Sequence, residues 1–278
     1  MQFGIDVDQT DYGVRITDLA RAVEGAGLES LFMTQRTHVP ASRRDIAEQI
    51  GHEMDTSQLD PFVSLGAAAA VTSRIKLGTG SCLAALYDPI ILAKQVATLD
   101  VISQGRFLFG ITPGWFEEEM RNHGLDPAFR WKVIREKVLA MKALWTEDGA
   151  QFHGRFVNID PVVLGLKPVQ KPHPPILVGS MGPHGVARTV EYGDEWMPAV
   201  SPSVDLESNM KCLDRACRDA GRPGMPVTAF LWELNEPLIE QCAQLGVARC
   251  IVYLYPLRMD VVQPFLERLM HIAERFAS

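Results

Sequence analysis

The sequence predicts an α/β chain folded as a (β/α)8 TIM barrel, and three observations predict it. Short apolar runs alternate with longer helix-like segments from end to end, the alternation repeats eight times, and no G-x-G-x-x-G turn follows the first run. The missing turn argues against an open, doubly wound dinucleotide-binding sheet, which could otherwise show the same alternation. A length of 278 residues suits one α/β barrel domain over 1–278.

The elements follow in order. Strands are expected over residues 2–7, 30–34, 75–80, 106–111, 175–179, 195–199, 227–232 and 249–254. Each leads into a helix, over 12–26, 61–71, 89–102, 130–145, 183–192, 203–220, 236–245 and 260–276. The second and third helices open on Asp60-Pro61 and Asp88-Pro89, a capping carboxylate before a proline at the first helical position. The third and fourth strands, IKLGTG and FLFGIT, are apolar on both faces, as parallel strands covered by helices must be. In the fourth helix Ile134, Val138, Met141 and Trp145 share one face; in the last, Phe265, Leu269, Ile272 and Phe276 do.

Two segments exceed what a barrel needs. Residues 35–59 separate the second strand from its helix and carry Arg36, Arg43 and Arg44, candidates for an anionic group or for solvated surface. Residues 149–173 read as a short hairpin followed by a proline-rich approach to the fifth strand.

A net charge of −7 argues against nucleic acid as the main partner. The N-terminus lacks the basic start and apolar core of a signal peptide, and no apolar run approaches the ~20 residues of a membrane span. Five cysteines without a C-x-x-C pair point to reduced thiols and a cytoplasmic location.

A barrel of this kind places its active site at the C-terminal ends of its strands. Those ends carry Asp6 and Asp8; Gln35, Arg36 and His38; Gly80, Ser81 and Cys82; Thr112, Gly114 and Trp115; Gly179 to Pro183; and Glu233 and Tyr255. Glycines cluster in GTGS, GITPGW and VGSMGP, where bare backbone can approach a flat ring or a phosphate. The last turn leads into a helix whose free N–H groups favour an anion. H-x-H, H-E-x-x-H, G-x-S-x-G and P-loop patterns are all missing, so the usual metal- and serine-hydrolase readings fail and no metal site is expected. A glycine-rich site poor in acid–base pairs suits a bound redox cofactor that carries the chemistry itself.

The stretches TQRTHVPASRR, LDPFVSLGAAAAVTSRIKLGTGSCLAALYDPIILAKQVATLDVISQGRFLFGITPGW, FHGRFV, KPVQKPHPPILVGSMGP and YGDEWMP resemble the luciferase-like monooxygenase superfamily, in its coenzyme F-420-dependent subgroup. They run in order through about residues 28–200. The resemblance implies a bacterial-luciferase-like barrel that holds a deazaflavin or flavin ring against the third and fourth strands. It implies a non-proline cis peptide at Gly80–Ser81 and a cofactor phosphate near Gly179, Ser180, Met181, Gly182 and Pro183. Ring contacts would fall to Gly80, Ser81, Thr112, Gly114 and Trp115, and homodimers are common among such proteins.

Two departures stand out. Relatives often read E-H-T-H after the second strand, where this chain has Gln35-Arg36-Thr37-His38, and arginine does not give up its proton. G-V-G-x-G-W is replaced by GITPGW, so Thr112 and Pro113 alter the wall beside the ring. The expectation is hydride transfer between coenzyme F-420 and a small organic substrate, with His38 and Arg36 as candidate catalytic groups. The alternatives are an FMN-dependent monooxygenase and a catalytically weakened flavin- or deazaflavin-binding protein.

Overall fold

A computed structural model describes residues 1–43, 56–256 and 258–276. It contains a curled, all-parallel nine-stranded sheet surrounded by helices, with strand order β8-β7-β4-β3-β2-β1-β11-β10-β9. β1 (Gln2–Val7), β2 (Ser30–Met33), β3 (Lys76–Thr79) and β4 (Phe107–Ile111) lie side by side, and β4 pairs with β7 (Ile176–Val178). On the other flank β1 pairs with β11 (Arg249–Leu254) and β11 with β10 (Thr228–Leu231).

The sixth expected strand departs from its prediction. Residues 195–199 become two short pieces, β8 (Glu195–Trp196) and β9 (Ala199–Val200), which pair with β7 and β10 respectively. Pro198 between them has no N–H to give to a ladder. The two edges of the sheet are therefore consecutive pieces of one segment. Trp196 also bridges Val227, donating its N–H to the Pro226 carbonyl at 3.1 Å, and Phe230 donates to the Pro198 carbonyl at 2.9 Å.

Local chemistry explains the helices. α1 (Ile16–Gly25) is followed by α2 (Pro61–Val71), where Asp60 accepts from the Val63 N–H, and α3 (Pro89–Ile102), where Asp88 accepts from Ile90 and Ile91. A short α4 (Glu117–Asn122), absent from the sequence reading, precedes α5 (Arg130–Thr146), which buries Ile134, Val138, Met141 and Trp145 as its pattern requires. The long insertion before β7 does form a hairpin, β5 (Ala150–His153) against β6 (Asn158–Val162). Glu136 of α5 holds its turn by accepting the N–H groups of Arg155, Phe156 and Val157. The remaining helices are α6 (Gly182–Tyr192), α7 (Leu206–Asp219), α8 (Glu236–Gln244) and α9 (Met259–Glu274).

α1 and α7 start later than the sequence suggested. Residues 12–15 form a turn ahead of Ile16, and Asp205 caps α7 by accepting from Ser208. Residues 44–55, which include Arg44, lie outside the described part of the insertion over 35–59; Ala41–Arg43 form one 3-10 turn. All five cysteines are free thiols. Among the described residues no helix is long and apolar enough to cross a membrane.

The sheet's alternation separates two layers inside its curl. Phe32, Leu108, Leu177, Met197, Phe230 and Ile251 form a buried cluster. Two residues further along their strands come Thr34, Gly179, Ala199, Trp232 and Tyr253, which line a cavity. The inner cluster thus forms a floor, and the site opens above it at the C-terminal ends of the strands.

Candidate functional site

The cavity has a volume of about 360 Å³, within the range of small-molecule sites. Its base is backbone. The Gly80–Ser81 peptide is cis, and both residues line the cavity. Glycine is required there because a Cβ on Gly80 would sit 2.1 Å from Oδ1 of Asp6. Gly114, at φ +89°, and Gly179 add bare backbone from the next two strand ends. Hydrogen bonds sew these ends together: Cys82 N–H to the Gly110 carbonyl (2.8 Å), Thr112 N–H to Cys82 (2.9 Å) and Gly179 N–H to Ile111 (2.8 Å).

One wall is aromatic. Trp232 meets Phe230 edge-on at 4.6 Å between centroids, and Tyr253 and Trp115 each at 5.9 Å. Trp115 is 63% exposed, so it stands at the rim. The other wall is polar. Asp8, 2% exposed, accepts hydrogen bonds from Thr34 and from the Tyr253 hydroxyl (3.1 Å). Burial pushes the Asp8 carboxyl up to about 6, against the lowering influence of Thr34, Tyr253 and the Arg36 charge. Arg36 lines the same wall and lies over the Phe116 ring at 5.3 Å.

Behind Gly80 lies Asp6, fully buried, and neither of its carboxyl oxygens has a hydrogen-bond partner among the described residues. Burial, with the neighbouring Asp8 charge, raises Asp6 well above the usual carboxylate range.

The loop after β2 is held from two sides. Gln35 donates to the Tyr87 hydroxyl and accepts from the Leu83 N–H at 2.8 Å. Glu119 of α4, 2% exposed, accepts from the Thr37 N–H (2.8 Å) and hydroxyl (2.7 Å). Glu119→Ala would leave the Thr37 N–H unpaired and free the loop that carries Arg36. A stability loss of about 1–3 kcal/mol is expected in urea unfolding; a loss below experimental error would show that water replaces the carboxylate.

Of the sequence-derived site residues, Arg36, Gly80, Ser81, Thr112, Gly114, Trp115, Gly179, Ser180 and Met181 converge on the cavity. His38, Gly182 and Pro183 are not among its lining residues. His38 turns to α4, where its Nε2 meets Asn122 Nδ2 (2.8 Å) and its ring faces His123 at 5.8 Å. Gly182 and Pro183 begin α6, and the Ser180 hydroxyl just before them is buried without a hydrogen-bond partner among the described residues. Arg43 pairs with Glu118 at 2.8 Å away from the lining, and Glu233 and Tyr255 give way to Trp232 and Tyr253.

Sequence reasoning left out Glu119, Met197, Phe230, Trp232 and Tyr253. Counting by two along VTAFLW and RCIVYL from a single inward residue would have found Trp232 and Tyr253. Glu119 had no such signal, because an acidic E-E-E run reads as surface.

With this geometry in view, comparison with known proteins gives a family. The model of the luciferase-like monooxygenases matches residues 2–231. The chain belongs to the luciferase-like monooxygenase family. It is 34% identical over 275 residues to an uncharacterised protein of Mycobacterium tuberculosis, covering 97% of each chain. It is 33% identical over 149 residues to the FMNH2-dependent dimethylsulfone monooxygenase of Pseudomonas putida, covering 48% of this chain and 41% of that one. In structure it is similar to the monooxygenase RslO1 from Streptomyces bottropensis, with TM-score 0.84, 19% identity and 100% coverage of both chains. The coenzyme F420-dependent tetrahydromethanopterin reductase from Methanopyrus kandleri superposes with TM-score 0.78 and 17% identity over 99% of each chain. The family thus includes both flavin-dependent monooxygenases and F420-dependent oxidoreductases.

Proposed function

We propose that this family member is an oxidoreductase that transfers a hydride between coenzyme F-420 and a small organic substrate. The observation that carries the reading is the cavity base: three strand ends present backbone without side chains at Gly80, Gly114 and Gly179, beneath an aromatic wall. A planar ring fits against such a base. The unpartnered Ser180 hydroxyl, at the start of α6, is a donor placed for an anionic cofactor tail. In this reading Gly80, Ser81, Thr112, Gly114 and Trp115 contact the ring, and Gly179 to Pro183 take the phosphate end.

When bound, the cofactor supplies a two-electron hydride donor or acceptor. The chain supplies the rest. Trp232, Phe230 and Met197 exclude water and receive an apolar substrate body, while Asp8, Tyr253 and Arg36 face its polar group. Arg36 contributes positive charge to that wall.

The reading also takes the chain as one domain over 1–278, with the segment 195–200 closing the sheet into an eight-stranded barrel. Its support is the linkage of β7, β8, β9 and β10 through Trp196 and Pro198. We place the enzyme in the cytoplasm as a homodimer, supported by its free thiols and by exposed Val63, Ile91 and Ile102 on α2 and α3.

Titrating the purified protein with coenzyme F-420 is expected to quench the deazaflavin fluorescence; no change at tens of micromolar would overturn the choice of cofactor. A parallel titration with FMN tests the second reading, a monooxygenase using reduced flavin and oxygen. That reading is favoured by the full-length likeness to a monooxygenase, and FMN binding with substrate-dependent oxygen uptake would establish it.

A further inference from the structure

The hydride reading leaves a gap: the substrate must also exchange a proton, and neither sequence candidate is built to do it. Arginine does not titrate usefully in water, and His38 is engaged by Asn122 outside the cavity lining. Among the described lining residues the carboxyl groups are those of Asp8 and Glu119. Glu119 is committed to the Thr37 N–H and hydroxyl, where it fixes a loop. Asp8 remains.

We propose that the Asp8 carboxyl, held between Thr34 and Tyr253 in the cavity wall, is the group that exchanges a proton with the substrate. The inference rests on the hydride-transfer reading above. It names the substrate class as a carbonyl or hydroxyl compound with an apolar body, its oxygen at Asp8 and its carbon skeleton against Trp232 and Phe230.

The geometry is specific. Thr34 Oγ1 holds one carboxyl oxygen and Tyr253 Oη the other, so the carboxyl is fixed in orientation while it lines the cavity. The groups acting on it are the Arg36 guanidinium from the loop after β2, the Tyr253 hydroxyl from β11, the Gln58 side chain and Asp6 on its own strand, and Glu119 from α4 lines the same cavity. β3 brings glycine backbone and Ser81, with no charge. Asp6, sealed behind Gly80, is itself raised, first by burial and then by the Asp8 charge. Burial pushes Asp8 itself up to about 6, where a carboxyl can both give and take a proton.

The step balances. In reduction the substrate carbon accepts the hydride pair and its C=O π bond opens onto oxygen; the Asp8 O–H bond breaks as the new hydroxyl O–H bond forms. Water returns the proton to the Asp8 carboxylate. Oxidation runs the same exchange in reverse, with Asp8 accepting the hydroxyl proton.

The first test needs no cofactor. The carboxyl carbons of aspartate-labelled full-length protein are followed by NMR across pH, with Asp8→Asn assigning the signal. A midpoint near 6 is expected, moving upward in Tyr253→Phe, which removes a hydrogen bond to the carboxylate, and in Arg36→Gln, which removes a positive charge. A midpoint in the ordinary carboxylate range near 4, or one unmoved by both variants, overturns the proposal. The second test uses the loaded enzyme: Asp8→Asn is expected to lower turnover by about 100-fold or more while leaving the cofactor Kd within about threefold. Turnover retained in that variant sinks the idea. If neither coenzyme F-420 nor FMN binds, the functional reading fails while the titration still stands or falls by itself.

Discussion

Arg249→Ala is expected to destabilise the protein by about 3–5 kcal/mol, because it leaves the buried Glu195 carboxyl without its ion-pair partner and the partly buried Glu29 with Lys76 alone at 3.2 Å. Arg249 is 6% exposed at the start of β11, at the end of the strand opposite the one that lines the cavity. Its guanidinium grips both oxygens of Glu29, at 2.8 and 2.9 Å, and reaches Glu195 at 3.0 Å and the Thr228 hydroxyl at 2.7 Å. One side chain ties β8, β10 and β11 to the residue just before β2. For Glu29 burial alone would raise the carboxyl, but the hydrogen bonds and charge of Arg249 outweigh it and hold it below the usual range. For Glu195 burial wins, and the carboxyl sits above that range.

The sign with pH follows for Glu29. Its depressed folded pKa contributes stability above the unfolded value, and that contribution is lost as pH falls through the folded one. The gap between wild type and Arg249→Ala should therefore narrow in acid. Urea unfolding at neutral and acidic pH measures both effects; a neutral-pH loss under about 1 kcal/mol would mean that the network is an exposed-type ion pair.

Gly110→Ala should act at the site itself. A Cβ there would lie 2.0 Å from the Thr79 carbonyl oxygen and 3.0 Å from the Met197 methyl. The methyl can swing away, but the carbonyl belongs to β3 and cannot. Relief would push β3 from β4, pulling on the Thr79 hydroxyl (2.7 Å) and the Cys82 N–H (2.8 Å) that both bond the Gly110 carbonyl. Overpacking of this kind costs about 1–3 kcal/mol, and the upper end is expected. Cofactor affinity should fall about tenfold or more, equivalent to about 1.4 kcal/mol, because Ser81 and Thr112 shift with their strands. Gly66→Ala is the control: nothing lies within 4 Å of a Cβ in the middle of α2, and the helix should gain about 0.5–1 kcal/mol. Equal behaviour of the two variants would show that the site tolerates a wider β3–β4 spacing.

Much of this was legible from neighbouring residues alone. Asp60-Pro61 and Asp88-Pro89 mark their helix starts because capping involves side chains and N–H groups three residues apart or fewer. The glycine turns after β3, β4 and β7 identify the mouth because their bare backbone at Gly80, Gly114 and Gly179 meets the cavity. His38 illustrates the limit. Its place in the motif suggested the redox centre, yet its direction depends on its neighbour Thr37 and on Asn122, which is supplied by a short helix that the sequence did not reveal.

By itself the sequence determined the alternation of strand and helix, the end of the sheet that carries the site, and the family. Each depends on local propensity, apolar periodicity or a contiguous motif. Tertiary structure alone decided which polar groups matter. Asp6 and Asp8 are two residues apart on one strand and chemically identical, yet one is sealed behind Gly80 and the other lines a cavity between Thr34, Tyr253 and Arg36. Water access and the charges of distant chain segments set a carboxyl's behaviour, and both are created only when the sheet curls.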